Sequence, residues 1–434
     1  MACLPSVRRS GASTRDAHVV PTVRRGTSTP RMRARGALAR VLVLDTHQRI
    51  GLAACRALGA AGFEVGAADS SEDNLGGRSR YTTRPHRIPS PLLEGAAFSA
   101  TVEDLIARFG YEVVVGTDDG TLTRLEVAPP SVPTVPDLGS GFAAVRDKAT
   151  LGDLAVRAGV RYPRTAVAAA GEQDAAAVET VGLPCFVKAS QSGLVDGDRV
   201  HLLKGAVRAD TRAAALAAIA QFRSVGCLPI VQEAVERLEK YVAVVIRANG
   251  RSEVRFARHV LREWPPRGGI STVASAASSV TGDGARSCDA LERILDAAAY
   301  EGVAGAEFIR TETYTDELVL VDVNPRLFGS LTFGERLGLR ITERAVRQAL
   351  GLPRLPDGSY EVGRRYHHLA AELRWLRAPR AERGSLRALR GTYGLRDIYE
   401  NVEPRDLRPL VSLLLKRVGV PRPLGRWFRA RRQG

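Results

Sequence analysis

The segment Glu301–Ser330, with the sequence EGVAGAEFIRTETYTDELVLVDVNPRLFGS, decides the fold that this chain is expected to adopt. Apolar and β-branched residues dominate Val303–Arg310 and Glu317–Asn324, which indicates two β-strands. The polar residues Thr311–Asp316 between them are typical of a turn. The segment is therefore predicted to form an antiparallel hairpin.

This hairpin would bring two acidic side chains together on one face. Side chains alternate along a strand, so Asp322 and Asn324 share a face, and symmetry about Tyr314–Thr315 places Glu307 opposite Asp322. Opposed carboxylates repel each other, so the pairing needs positive charge between them. Carboxylate and amide oxygens are the ligands that Mg²⁺ prefers. Glu307, Asp322 and Asn324 are therefore predicted metal ligands.

Two arginines offer a different explanation of the same acids. Arg310 and Arg326 could neutralise them as ordinary salt bridges, because structural ion-pair networks also bring charged groups together. In a metal site, Arg326 would instead be available to hold a phosphoryl oxygen. The hairpin alone leaves both interpretations open.

The composition is that of a soluble globular protein. The chain has 434 residues, enough for two or three domains, and 44% of them are hydrophobic. No run approaches the ~18 apolar residues of a membrane span. The five cysteines are scattered and show no C-x-x-C spacing, which argues against a disulfide framework or a zinc site and favours the reducing cytoplasm.

The positive charge is concentrated at the two ends of the chain. The net charge is +16, of which residues 1–40 contribute +8 and residues 403–434 contribute +7. The part between them is close to neutral, so the charge does not predict a specific nucleic-acid partner. Residues 1–37 lack the apolar core of a secretory signal and are predicted to be a disordered basic arm.

The first region alternates strands and helices. Arg40–Leu44 and Phe63–Gly66 flank an Ala-rich helical stretch, which predicts a β-α-β unit of a parallel sheet. The first turn lacks the glycines of G-x-G-x-x-G, and this argues against an NAD-dependent enzyme. Asp118 follows the strand Glu112–Gly116 and could border a ligand crevice, although TDDG is equally a good turn.

The middle region carries two notable lysines. Lys148 precedes a helix, and Lys188 ends the apolar strand LPCFVKAS, where a charge needs a partner in a cleft. A loop with Gly193 and Gly197 follows, and then the strand Leu228–Val235.

A two-residue hairpin is predicted at Asn249–Gly250. The segment Leu261–Thr272 is predicted to be a long loop in which Arg262 and Arg267 either bind a ligand or belong to a linker. Residues 340–434 are predicted to be mostly helical.

The order of these features resembles the ATP-grasp superfamily, in particular its carboxylate–amine ligase-like members. The resemblance covers about residues 40–350. It implies an α/β chain, α+β in the grasp part: a Rossmann-like pre-ATP-grasp domain (38–137), an ATP-grasp domain (138–352, with a lid at about 160–235) and a small helical C-terminal extension with a basic tail (353–434).

The resemblance also implies roles for residues of this sequence. Those that would bind ATP are Lys148, Lys188, Ser190, Gly193, Gln232, Glu233, Val235 and Glu239. Mg²⁺, with Mn²⁺ as an alternative, would be held by Glu307, Asp322 and Asn324. Arg326 and Lys188 would be catalytic, and Arg262, Arg267 and Asp118 would contact the substrate. The phosphate loop has fewer glycines than is usual in the family, and Asp322 stands where Glu is commoner.

The implied activity is ATP-dependent ligation. A small-molecule carboxylate would attack ATP to give an acyl phosphate, and an amine (or a thiol) would then displace the phosphate. A biotin-carboxylase-like enzyme would need a bicarbonate site that the sequence does not identify. The alternative from another class is a non-catalytic ATP-binding protein whose basic tails dock it on a partner. The sequence does not decide the oligomeric state, and a homodimer is one option.

Overall fold

The computed structural model of the chain describes residues 38–203, 205–265, 269–315, 317–379 and 393–417. The predicted basic arm, residues 1–37, and the end of the basic tail lie outside these residues. Within the described ranges no helix is both long and apolar enough to cross a bilayer.

The first region contains a five-stranded parallel sheet with the strand order β3-β2-β1-β4-β5. Its strands are β1 (Arg40–Val43), β2 (Glu64–Asp69), β3 (Arg84–Arg87), β4 (Val113–Val115) and β5 (Thr134–Val135). The helices of this region are α1 (Arg49–Ala60), α2 (Gly95–Phe109), α3 (Asp119–Val127) and α4 (Ser140–Arg146), and a short 3₁₀ helix spans Gly76–Arg78. The predicted β-α-β opening is confirmed. The order reverses between β1 and β4, and ligand crevices form at such a switch point.

A second, smaller layer is a four-stranded antiparallel sheet in the order β10-β7-β11-β6. Helix α5 (Lys148–Arg157) leads into it, and its elements are β6 (Thr165–Val167), α6 (Glu172–Val181), β7 (Cys185–Ala189), β10 (Ala206–Ala209), α7 (Arg212–Ser224) and β11 (Pro229–Glu233). Helices α6 and α7 cover one face through their small apolar residues, such as Ala177 and Ala215. The remaining strands of this region, β8 (Gly193–Asp196) and β9 (Arg199–Leu202), form a separate hairpin.

The largest layer is a seven-stranded sheet in the order β16-β15-β12-β13-β14-β17-β18. Its strands are β12 (Glu239–Ala248), β13 (Arg251–Trp264), β14 (Ile270–Ala277), β15 (Gly302–Arg310), β16 (Val319–Asn324), β17 (Arg365–His367) and β18 (Ile398–Tyr399). The hairpin predicted at Asn249–Gly250 is present, and both residues have positive φ, at 53° and 70°. Such backbone angles suit a tight turn between twisted strands.

Helices complete the architecture around this sheet. They are α8 (Gly282–Ala297), α9 (Leu331–Arg336), α10 (Ile341–Ala349), α11 (Leu369–Arg377) and α12 (Arg408–Arg417). The C-terminal segment also adds β17 and β18 to the sheet, which the sequence did not indicate. Asp406 of that segment accepts hydrogen bonds from the side chains of Arg56 and Ser79, both at the first sheet.

Two apolar cores lie on opposite faces of the large sheet. One packs α4, α5 and α8 against Ala243 and Ala306. The other packs α1, α9 and α10 against Val244 and Phe256. Alternation along each strand sends neighbouring residues to different cores. On the second face the apolar core gives way to charged residues towards one end of the strands, and the candidate site lies there.

Candidate active site

The predicted pair of acids is present in the hairpin of β15 and β16. Glu307 lies directly opposite Asp322, and Gly305 lies opposite Asn324. The predicted register is therefore confirmed. The Asn324 side-chain Nδ2 donates to Asp322 Oδ2 at 3.1 Å, whereas Asp322 Oδ1 is buried without a hydrogen-bond partner. A buried carboxylate oxygen in that state is suited to a cation.

Lysines, not arginines, balance these two acids. Lys240 Nζ lies 2.5 Å from Glu307 Oε2, and Lys148 Nζ lies 3.5 Å from Asp322 Oδ1. Arg310 instead pairs with Asp283 on α8. The alternative in which Arg310 and Arg326 neutralise the pair is therefore wrong, because lysines pair with these two acids.

Arg326 has a carboxylate partner on another element. Its Nε and Nη2 donate to the two oxygens of Asp119 at 2.7 and 3.1 Å, in the bidentate geometry typical of arginine. Burial opposes the charge of Arg326, but the nearby carboxylates outweigh it and raise the pKa of the guanidinium above its ordinary value. Arg326 therefore stays charged, and Asp119 at the start of α3 fixes its orientation.

Lys188 approaches the same place from the small sheet. Its Nζ donates to Gln232 Oε1 at 2.6 Å, and Gln232 Nε2 in turn donates to Thr165 Oγ1 at 3.0 Å. Burial lowers the pKa of Lys188, against the opposing effect of the Asp322 charge. The direct partner of Lys188 is thus a neutral amide.

Lys148 is positioned by a helix start. The Asp147 side chain caps α5 by accepting from the backbone N–H of Ala149 at 2.9 Å, and the backbone N–H of Lys148 donates to the carbonyl of Ser190 at 2.8 Å. Such contacts satisfy N–H groups that a helix leaves free at its first turn. They connect Lys148 to the end of β7, beside Lys188.

The predicted phosphate loop is the β8–β9 hairpin, and it lies against the first region. A Cβ on Gly193 would come within 2.5 Å of Thr123 Oγ1, so the strand contacts α3 closely. At the tip, the carbonyl of Asp198 accepts from Gly95 N at 3.0 Å, and its side chain accepts from Ala96 N at 2.5 Å. These contacts hold the hairpin against α2 and α3 of the first region.

Asp118 lies at the switch point of the first sheet. Its side chain caps α3 by accepting from Gly120 N at 2.9 Å and also accepts from Gln48 Nε2 at 3.0 Å. The neighbouring Asp45 accepts from the backbone N–H groups of Thr117 and Asp118 and from the Thr121 hydroxyl. Burial and the charge of Asp118 raise the pKa of Asp45 to about 6.

These groups surround one cavity of about 510 Å³. The predicted site residues that line it are Asp118, Lys148, Lys188, Glu307, Asp322, Asn324 and Arg326. Three further residues of the site were not predicted from the sequence: Arg258 and Tyr366, which also line the cavity, and Lys240, which pairs with Glu307. Lys240 and Arg258 share a strand face with the core residues Val244 and Phe256, so the two-residue period of the strands places both charges on a buried face.

Comparison with solved structures places this architecture among known folds. The N5-carboxyaminoimidazole synthetase of Staphylococcus aureus is 13% identical, with 76% of this chain and 81% of that one covered and a TM-score of 0.59. The biotin carboxylase of Campylobacter jejuni, solved with β,γ-ATP, is 15% identical, with 75% and 74% covered and a TM-score of 0.60. The L-amino acid ligase of Bacillus licheniformis is 14% identical, with 73% and 75% covered and a TM-score of 0.56.

The chain has the ATP-grasp fold. At these identities the likeness establishes the fold alone. No family model matches the sequence, and no curated protein matches it.

The remaining residues predicted for the ATP-grasp site lie outside the cavity lining. Glu233 is hydrogen-bonded to Arg164, and Glu239 accepts from the Tyr241 hydroxyl at 3.1 Å. Ser190 contributes the backbone contact to Lys148 described above. Val235 follows the end of β11, which stops at Glu233 and not at Val235 as predicted.

The predicted loop Leu261–Thr272 needs correction. Strand β13 continues to Trp264 and β14 begins at Ile270, because the two strands keep pairing through irregularities at Val260–Glu263. Arg262 is therefore a strand residue. Its Nη1 donates to Glu372 Oε2 at 2.6 Å, and its guanidinium lies 4.2 Å from the Trp375 ring centroid.

These contacts place Arg262 against α11, and it is not among the residues that line the cavity. Arg267, the other predicted clamp, lies outside the described residues.

The chemistry of the acidic residues fits Mg²⁺. The described residues contain no group of three or more His, Cys, Asp or Glu side chains that could hold a metal. A metal here would depend on the carboxylates of Glu307 and Asp322 together with Asn324. All three supply oxygen, and Asp322 Oδ1, which has an ion-pair contact with Lys148 but no hydrogen bond, is the atom that such an ion would satisfy.

Proposed function

We propose that this protein is an ATP- and Mg²⁺-dependent ligase that activates a small-molecule carboxylate as an acyl phosphate and joins it to an amine. The observation that carries the proposal is the meeting of Glu307, Asp322 and Asn324 with Lys148 and Lys188 around one cavity. Oxygen donors for a cation come from the large sheet, and ammonium groups for phosphates come from the small sheet and from the start of α5.

The two lysines would act on the phosphates of ATP. Lys188 has a neutral amide as its direct partner, so an incoming phosphate would supply the negative charge that it lacks. Mg²⁺ held by Glu307, Asp322 and Asn324 would neutralise phosphate charge in the same place. Arg326, oriented by Asp119, would stabilise the phosphoryl group during transfer.

The nucleoside end of ATP would lie between the small and the large sheet. We assign the adenine contacts to the β11 backbone at Gln232, Glu233 and Val235, and the ribose contact to Glu239. These assignments follow the ATP-grasp resemblance. Gln232 belongs to β11 and accepts a hydrogen bond from Lys188. This contact supports the assignments, because it connects the proposed adenine-binding strand with a proposed phosphate-binding lysine.

Water has to be excluded because acyl phosphates hydrolyse. The β8–β9 hairpin, with Gly193 against Thr123 and Asp198 against α2, would provide that cover. Opening and closing of this hairpin would admit the substrates and release ADP. We place the protein in the cytoplasm, and the buried, unpaired thiols of the four described cysteines support this.

The test is release of ADP from Mg-ATP by the purified protein, with pools of L-amino acids and simple carboxylic acids and with an amine donor. Wild type is expected to release ADP only when a particular acid is present. Glu307→Gln should lower this rate by about 1,000-fold, because it removes a ligand charge that acts during phosphoryl transfer. Glu312→Gln, an exposed change in the turn of the same hairpin, should leave it unchanged.

Two results would contradict the proposal. One is the absence of acid-dependent ADP release from folded wild type that binds Mg-ATP, which favours the non-catalytic ATP-binding alternative. The other is equal activity of the Glu307 and Glu312 variants.

A further inference from the structure

One row of paired residues crosses the large sheet at the site. Asp322 on β16 lies opposite Glu307 on β15, Glu307 lies opposite Val242 on β12, and Val242 lies opposite Arg258 on β13. Directly paired residues share a face of the sheet. Because neighbouring strands are ~4.8 Å apart, the backbone of Arg258 lies about 10 Å from that of Glu307. The row has acids at one end and a guanidinium at the other.

Arg258 is buried without the partners that a buried charge needs. Its residue is 6% exposed, and its Nε and Nη1 have no hydrogen-bond partner. The described residues place no carboxylate within ion-pair distance of it. Its neighbour across the row, Val242, is apolar, and Glu307 is already paired with Lys240. Burying an arginine without partners costs folding free energy, unless a ligand supplies the missing negative charge and hydrogen-bond acceptors.

A second unpartnered polar group lines the same cavity. Ser330, which precedes α9, is 4% exposed, and its Oγ has no hydrogen-bond partner. Tyr366 of β17 also lines the cavity. Serine hydroxyls and arginine guanidinium groups both donate hydrogen bonds to anions. Two buried donor groups without acceptors therefore face one space.

The position of Arg258 separates it from the groups proposed to bind phosphate. Lys148 and Lys188 reach the cavity from α5 and β7, beside Asp322. Arg258 lies across the row on the other side of Glu307, and Tyr366 is its neighbour among the lining residues. An anion bound there would be next to the transfer site but outside the nucleotide.

We propose that Arg258, together with the Ser330 hydroxyl, binds the carboxylate of the acid substrate and presents it for phosphoryl transfer. This assignment rests on the proposed ligase function and replaces Arg262 in that role. It identifies the substrate as a small acid whose carboxylate enters from the Arg258 side. Val242, which separates Arg258 from Glu307 and also lines the cavity, carries no charge that would compete with the carboxylate for Arg258.

The test compares wild type with Arg258→Met and with a matched control, Arg255→Met. Arg255 lies on the same strand but pairs with Asp289 and Glu292 on α8, away from the cavity. Binding is measured by calorimetry in the presence of Mg-ADP, first with pooled L-amino acids and simple carboxylic acids and then with the binding acid alone. Binding of Mg-ADP itself is measured separately.

We expect Arg258→Met to weaken acid binding by about 100-fold, since a bidentate guanidinium–carboxylate contact is lost. Mg-ADP affinity should stay within about 2-fold, and Arg255→Met should change neither. The amide of the binding acid, which lacks the carboxylate, should not bind to wild type. The melting temperature of the ligand-free protein should not fall in Arg258→Met, because a structural arginine would lower it and an unpartnered one would not.

Three results would overturn the proposal: unchanged acid binding in Arg258→Met, a parallel loss of Mg-ADP affinity, or no acid bound by wild type. Failure of the ligase function gives a different pattern. In that case acids bind in an Arg258-dependent way, but no ADP is released from Mg-ATP.

Discussion

Two lysines that reach the site from different sheets have contrasting surroundings. Lys240 of the large sheet is almost fully buried and lies between two carboxylates, 2.9 Å from Glu263 Oε1 and 2.5 Å from Glu307 Oε2. Lys188 of the small sheet is partly buried, and its close partner is the neutral side chain of Gln232. Lys240 is in direct contact with carboxylates, whereas the direct partner of Lys188 is neutral.

This difference indicates that Lys240 stabilises the fold, whereas Lys188 is suited to binding a ligand. A buried ion pair is hard to break, because the remaining partner is left as an unpaired charge. A lysine without a carboxylate partner contributes less to folding, and its amino group is available to an anion. The same substitution at the two positions should therefore have opposite consequences.

The largest effect is expected from Lys240→Met, which should lower the free energy of unfolding by about 3–4 kcal/mol. Glu263 keeps a second partner, since Arg237 Nη1 lies 2.6 Å away, but Glu307 is left facing Asp322 without its cation. Urea denaturation measures the change. Added MgCl₂ should stabilise this variant more than wild type if Glu307 and Asp322 bind the ion, and an equal Mg²⁺ effect on both proteins would contradict the metal assignment.

Lys188→Met should have the complementary result. The free energy of unfolding should change by no more than about 1 kcal/mol, the cost of leaving the Gln232 carbonyl without a donor. Affinity for Mg-ATP should fall by about 100-fold, equivalent to about 2.7 kcal/mol, because a phosphate contact is lost. Calorimetry with Mg-ATP measures it. If Lys188→Met unfolds as readily as Lys240→Met, the contrast between the two lysines is wrong.

Strand periodicity explains what the sequence could predict. The register of Glu307 and Asp322 followed from two clear strands joined by a polar turn, and the structure has that register. Lys188 was recognisable because a charge ends an apolar strand. Local pattern was sufficient for these residues, since the information lies within one hairpin or one strand.

Long-range contacts explain what the sequence could not predict. Lys240 and Arg258 lie in strands identified correctly, but their roles depend on the order β16-β15-β12-β13, which brings four strands from two separate hairpins together. Arg326 meets Asp119 across 207 positions of sequence. The Pro- and Gly-rich stretch after Leu261 predicted a loop, yet pairing with β14 continues through its first residues. Sequence patterns within a single strand or hairpin cannot predict these pairings.

The smallest effect concerns an acid without a cation, Asp45, and it extends the contrast to negative charge. Asp45 is 8% exposed and accepts hydrogen bonds from neutral donors, while the like charge of Asp118 lies close by. Its pKa of about 6 in the folded protein exceeds its ordinary value of 3.8. The folded state therefore binds more protons than the unfolded chain between these pH values, and the contribution of Asp45 to stability falls as pH rises through 6.

Asp45→Asn removes this titration. The free energy of unfolding of wild type, relative to Asp45→Asn, should decrease by about 1–1.5 kcal/mol between pH 5 and pH 7.5. Urea denaturation of both proteins across that range measures the difference. A difference that does not depend on pH, or that grows as pH rises, would show that a cation or a stronger set of donors stabilises the Asp45 carboxylate. Asp45 would then resemble Glu307, whose charge is balanced within the protein, and the contrast would hold for the lysines alone.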